Sequence, residues 1–198
     1  MIAPTMTSTV SGVGVRVAIV AVLVGTAACT DDGVSTPTTP STASAITAVA
    51  TLDCAQSIAT LTEPDGGEVV LGVVSLETAR SPMAMQTQDG RTADPRVRLW
   101  AKSGLVVRGG ARFSLAVPPT MVDRLAFGWG PQDSTTLRLE VAGCGQEGEW
   151  LAFAGGYVGS EVGCLPIVVT AGDMTQTVMI GFGAPCPGQE PPLEPTDT

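Results

Sequence analysis

The residues with chemical potential are few. The chain holds five cysteines, Cys29, Cys54, Cys144, Cys164 and Cys186, and no histidine. Without histidine there is no Ser/His/Asp or Cys/His centre, and the commonest general base and metal ligand are both missing. No two cysteines stand as Cys-x-x-Cys, so neither a zinc site nor a thioredoxin-like couple has the spacing it needs. Lys102, the only lysine, precedes Ser103. A Ser-Lys dyad would need both on one side, whereas neighbours on a strand point to opposite faces, so the pair reads as a solvated turn. Nineteen acidic residues offer carboxylate pairs for glycoside hydrolysis, but they fall mainly in turns, and three tryptophans are a thin supply for a sugar cleft. Asp65, Glu68 and Asp89 could be drawn into a calcium site, yet the body has no Asp-x-Asp ligand repeat, and turn solvation accounts for them. Gly109-Gly110 and Gly155-Gly156 lack a following Walker lysine or helix and read as turns or strand kinks. No metal or cofactor is implied.

Cys29 has a different context. Arg16 precedes an apolar run, Val17 to Val24, which ends in Gly25-Thr26-Ala27-Ala28-Cys29. As a helix, Val17 to Ala28 covers roughly 18 Å, short of the ~30 Å hydrocarbon core, so the run fits a signal peptide better than a permanent span. The segment ending at Cys29 resembles the bacterial lipobox, with Thr26 where leucine is usual. That resemblance implies a diacylglyceryl thioether on Cys29, cleavage before it and N-acylation, palmitate included, of the new terminus. Acyl chains at ~0.8 kcal/mol per buried CH₂ anchor such a chain stably. Met1 to Gly14 contains no Lys or Arg, which fits either a sparse basic flank or a true start nearer Val15.

Setting Cys29 aside leaves four cysteines, which in an exported domain read as two disulfides with three possible connectivities. Cys164-Leu-Pro-Ile-Val-Val-Thr170 and Thr177-Val-Met-Ile-Gly-Phe182, joined through Ala171-Gly172-Asp173, form a hairpin pattern. The register places Cys164 near the position opposite Gly183, within reach of Cys186. Cys54 then falls to Cys144, with Cys144–Cys164 as the main rival.

The domain plan follows from composition. Residues 1–28 are the signal peptide. Residues 29–45 are a Ser/Thr/Pro-rich tether that cannot bury enough apolar surface to fold. Residues 46–187 are the folded body, and 188–198 a disordered acidic tail. Asp53 is a candidate cap for a short helix through Leu61. Beyond it, short β-branched or alternating runs recur at roughly ten-residue spacing between Gly and Pro turns, among them 68–76, 113–117, 137–141 and 150–157. The pattern predicts an all-β chain, a single Ig-like-type β-sandwich of about 8–9 short strands. Glu68 to Leu76 is expected as one strand, and Leu137, Leu139 and Val141 as one inward face.

Leu99-Trp-Ala-Lys-Ser-Gly-Leu-Val-Val107, Phe113-Ser-Leu-Ala-Val-Pro-Pro119, Phe127-Gly-Trp-Gly130, Trp150-Leu-Ala-Phe-Ala-Gly-Gly-Tyr157, Cys164-Leu-Pro-Ile-Val-Val169 and Gly183-Ala-Pro-Cys-Pro-Gly188 carry a further resemblance. Through them the chain resembles a group of uncharacterised actinobacterial secreted lipoproteins over about half its length. The resemblance implies a shared exported β domain and brings no activity with it.

Charge supplies one more candidate. The chain has a net charge of −9, which argues against nucleic acid or anionic lipid headgroups as partners for the body. Its cations are clustered: most lie between Arg80 and Arg124, and none follows Arg138. Arg96, Arg98, Trp100, Lys102, Arg108 and Arg112 form a candidate binding patch, provided their strands gather on one side. An envelope protein or an anionic wall polymer are the partners such a patch fits; pairing with the domain's own acidic residues is the plainer alternative. The expectation is a lipoprotein held at the outer face of the cell membrane and acting as a binding module without enzymatic activity. A carboxylate-dependent hydrolase of cell wall or glycan, or a structural envelope component, stand as alternatives.

Overall fold

The computed structural model describes residues 46–64, 66–90, 98–129 and 135–193, all within one compact unit. The signal segment, Cys29 and its tether, Asp65, Arg96 and the last five residues lie outside the described residues. The body is all-β and sandwich-like, with sixteen strands among the described residues arranged in three sheets. The six-stranded sheet runs β1 (Ile46–Thr47), β11 (Thr135–Thr136), β10 (Leu125–Phe127), β14 (Gly156–Gly159), β7 (Leu99–Lys102) and β6 (Gln88–Asp89). One five-stranded sheet runs β16 (Met174–Phe182), β15 (Gly163–Ala171), β9 (Arg112–Ala116), β12 (Arg138–Ala142) and β2 (Ala50–Thr51). The other runs β3 (Ala59–Leu61), β13 (Trp150–Phe153), β8 (Leu105–Arg108), β5 (Val74–Leu76) and β4 (Glu68–Val70).

There are more strands than the sequence pattern suggests because several runs are bent or folded back. Lys102 faces Gly156, Leu105 faces Phe153, and between them Ser103 N–H donates to Gly155 O at 3.0 Å. Residues 99–108 and 150–159 therefore keep one antiparallel register across the break between sheets. They form a single ladder that turns a corner at Ser103-Gly104 and Ala154-Gly155, as strands do where they pass between crossing sheets. Residues 46–51 do the same against 135–140, in parallel, with Leu137 at the corner. That corner corrects one expectation. Leu139 and Val141 enter the main core, while Leu137 packs with Ile46, Trp100, Ala126 and Val158 in a separate cluster.

Two further expectations change. Glu68 to Leu76 is a hairpin rather than one strand. Its chain reverses at Leu71 (φ 51°) and Gly72 (φ 70°), a left-handed pair that Gly72 adopts at little cost and Leu71 at a steric cost. Asp53 does act as a cap, accepting from Ala55 N–H at 3.0 Å, but the turn it starts is a 3-10 turn ending at Gln56. Ile58 N–H is taken by Ala152 O and Ala59–Leu61 pair with β13, so cross-strand bonding ends the turn.

One main core joins all three sheets, from Val74 and Val107 through Leu115 and Leu139 to Ile167 and Ile180. At the corner, Trp129 is almost wholly buried and donates its indole N–H to Ser103 O at 3.1 Å. Its ring meets Tyr157 edge-on at 4.7 Å between centroids, and Phe127 lies 6.1 Å from each. Gly155 lies against the indole face, where a Cβ would overlap the ring. Gly155→Ala is therefore expected to cost about 1–3 kcal/mol by overpacking, read as a fall in urea midpoint at unchanged slope.

Both disulfides form as the hairpin argument places them. Cys54–Cys144 spans 5.3 Å between Cα atoms and Cys164–Cys186 spans 4.8 Å. Cys164 faces Gly181, two residues earlier than the register read from sequence, because the turn is the two-residue Gly172-Asp173. The first bridge closes a separation of 90 residues and the second one of 22. The chain-entropy relation gives roughly 4–5 and about 3 kcal/mol respectively. The double variant Cys54→Ser/Cys144→Ser should accordingly unfold at lower urea than Cys164→Ser/Cys186→Ser; the reverse order would show that local packing outweighs loop length.

Candidate functional site

One concavity is built by a stretch with little regular structure of its own. After β5 the chain passes through Glu77 into residues 78–90. Thr78 donates its hydroxyl to Glu68 at 2.7 Å and accepts from Arg80 N–H, while the Arg80 side chain pairs with Glu68 at 3.3 Å. Met85 N–H bonds Gly181 O and Gly183 N–H bonds Met85 O, so this stretch covers the open edge of β16. Ala79 N–H reaches Met179 O on the same edge.

Gln189 finishes the wall. Its amide nitrogen lies 3.0, 3.1 and 3.2 Å from the carbonyls of Thr78, Ser81 and Met83, so two N–H groups serve three acceptors. Its Oε1 accepts from Cys186 N–H at 3.0 Å, and Glu190 exchanges backbone bonds with Pro82 and Ala84. The segment expected as a tail thus remains part of the body to Glu190. Gly188 turns the chain just past the disulfide and brings Gln189 back onto the loop.

Between this stretch, the turn at Gly66-Gly67 and strand β7 lies a recess of about 1080 Å³. Met83, Ala84, Met85 and Leu99 give it apolar walls; Glu77, Asp89 and Lys102 bring charge, and Gln86 and Gln88 amides. Glu77 still reaches solvent, yet the surrounding protein desolvates its carboxyl enough to raise its pKa from the ordinary carboxylate value. Among the described residues it has no hydrogen-bond or ion-pair partner. Nearby in the core, the Tyr157 hydroxyl is fully buried and also without a partner among them. Burial, and secondarily the Glu77 charge, push the phenol upward, so it stays neutral. The corner places the two groups near each other: Tyr157 comes from the six-stranded sheet and Glu77 from the end of β5 in the neighbouring one.

The predicted basic patch does not gather on one strand face. Its strands β7, β8 and β9 belong to three different sheets. Arg98 Nε donates to Ser160 O at 3.1 Å, Trp100 packs on the smaller cluster, and Lys102 lines the recess. Arg108 reaches Gly72 O from the end of β8. Arg112 borders a shallow hollow of about 340 Å³ on β9 and β12, beside the Arg138–Glu140 ion pair. None of Arg98, Lys102, Arg108 and Arg112 pairs with a described acid; the ion pairs among described residues use Arg80, Arg124 and Arg138. The long ladder turning its corner between Lys102 and Leu105 is what parts them.

Lys102 and Ser103 are also kept apart, since Ser103 is buried with its hydroxyl on Gly104 O while Lys102 is exposed at the recess. Of the calcium candidates, Glu68 is taken up by Thr78 and Arg80, and Asp89 lies on the recess wall. Among the described residues, no three acidic or cysteine side chains converge as metal ligands. Glu77 and Gln189 escaped the sequence reading. The available signals were an acid closing an apolar strand, and a glycine turn directly after a disulfide cysteine.

Comparison with protein-family models, with curated proteins and with solved structures returned no match.

The raised Glu77 carboxyl gives a pH test. Folding favours its protonated form, so its contribution to stability is full below the unfolded carboxyl pKa of about 4.3 and is lost as pH rises through the folded value. Glu77→Gln should therefore melt higher than the parent at neutral pH, with the difference vanishing below about pH 4. A constant difference across that range would remove desolvation as the cause.

Proposed function

We propose that this chain is an exported lipoprotein of the kind its sequence resembles, anchored through Cys29 at the outer face of the cell membrane, whose β domain is a binding module for an envelope component. One observation carries the reading. The four cysteines of the body are all taken up in two disulfides, Cys54–Cys144 and Cys164–Cys186, which leaves Cys29 as the single cysteine free for acylation. Disulfides of this kind belong to oxidising compartments, so the pairing supports export independently of the apolar run before Cys29. The Ser/Thr/Pro-rich stretch from Thr30 to Ser44 is then a spacer between membrane and domain.

Binding is the activity the geometry supports best. The recess combines apolar walls from Met83, Ala84, Met85 and Leu99 with charged and amide side chains, among them Glu77, Lys102, Gln86 and Gln88, a mixture found in ligand sites. Among the described residues its lining offers no aromatic platform of the type a glycan cleft uses, which favours binding over the hydrolase reading. Dispersal of the arginines over three sheets removes the main argument for an anionic polymer and leaves an envelope protein or amphipathic molecule as the better-supported partner.

The test is fractionation of cells making the parent and Cys29→Ala. The parent should sediment with membranes and label with radioactive palmitate, and the variant should do neither and appear in the soluble extracytoplasmic fraction. Membrane retention of Cys29→Ala would overturn the anchor.

A further inference from the structure

The geometry points to the recess between Glu77, Met85, Leu99 and Lys102 as a binding site for an amphipathic ligand with an apolar body and a cationic amino head, the head placed on the Glu77 carboxylate. The inference deepens the binding-module reading by naming the site and the ligand class, but it does not depend on Cys29 or on export.

Shape and rigidity come first. At about 1080 Å³ the space slightly exceeds the ~300–1,000 Å³ usual for small-molecule sites, and one of its walls is braced. The loop carrying Met83, Ala84 and Met85 is held from behind by Gln189, by Glu190 and by the edge of β16, and the Cys164–Cys186 bridge fixes the segment from which Gln189 projects. A ligand therefore need not order this wall, which removes a large part of the usual entropic cost. Methionine side chains adapt to irregular apolar shapes, so Met83 and Met85 suit an alkyl or otherwise flexible body.

Charge selects the head. Glu77 has no cationic partner among the described residues and presents its carboxylate, reachable from solvent, to the recess. Nearby, the buried Tyr157 hydroxyl also lacks a partner. A ligand ammonium at Glu77 would supply the counter-charge that carboxylate lacks, a partly exposed pair of modest strength. Asp89 on the same wall adds a second negative charge against the single Lys102, and the chain as a whole carries −9, which steers cations inward. An anionic head would meet the opposite field.

The experiment uses the purified full chain and two probes with one body and different heads, n-octylamine and n-octanol, with binding followed by titration calorimetry at neutral pH. The amine is expected to bind more tightly than the alcohol. Glu77→Gln should weaken the amine roughly fivefold and leave the alcohol unchanged, the size expected for one partly exposed charge pair. Lys102→Ala should strengthen the amine. Glu147→Gln, which removes an exposed charge from the loop between β12 and β13, should change nothing. Equal affinity for amine and alcohol would overturn the proposal, as would a Glu147→Gln effect as large as that of Glu77→Gln, since the attraction would then be diffuse. Tighter binding of n-octanoate than of n-octylamine would overturn it as well. A Cys29→Ala chain retained on membranes would refute the anchor while leaving these results untouched, so the two failures are distinguishable.

Discussion

The hydrogen bond from the Trp129 indole to the Ser103 carbonyl secures the corner on which the body depends. A long antiparallel ladder cannot cross from one sheet to another without exposing backbone groups at the bend. Here Ser103 N–H stays in register with Gly155, and its carbonyl, turned out of the ladder, receives the tryptophan. Trp129 fits only because Gly155 presents no side chain to it. One buried donor, one displaced acceptor and one missing Cβ thus satisfy the corner together, and losing any of them leaves a polar group or a volume unmatched in the core.

The same corner sets the character of the surface. It sends β7 into one sheet and β8 into another, which separates Lys102 from Arg108 and disperses cations that lie close in sequence. It also brings the end of β5 beside the six-stranded sheet, so that Glu77, Leu99 and Lys102 come to line one recess. A patch that looks continuous in one dimension is divided, and residues more than twenty positions apart are united.

Much of the fold could be read directly from the residues. The turn chemistry and the β-branched runs predicted an all-β sandwich-like body, and the Gly172-Asp173 hairpin led to both disulfides. What escaped has a common cause. Periodicity reports which side a residue faces within a straight strand, but it is blind to bends, so it puts Leu137 on one inward face with Leu139 and Val141 and makes Glu68 to Leu76 one strand. Left-handed backbone at Leu71 breaks an apolar run that hydropathy treats as continuous. The recess was harder still, because residues 78–90 are positioned by Gln189 from the far end of the chain, and local pattern carries no trace of contacts over that separation. The glutamine itself sits among prolines and acids, the composition of a disordered tail.

That glutamine has a consequence for the order of assembly. The first described strands, β1 and β2, lie parallel to β11 and β12, and the loop after β5 is completed only by residues that follow Cys186. The first pairing waits for residue 140, and the loop waits for Gln189. Contacts of such long range slow closure and tie the shaping of this loop to the arrival of residues beyond Cys186.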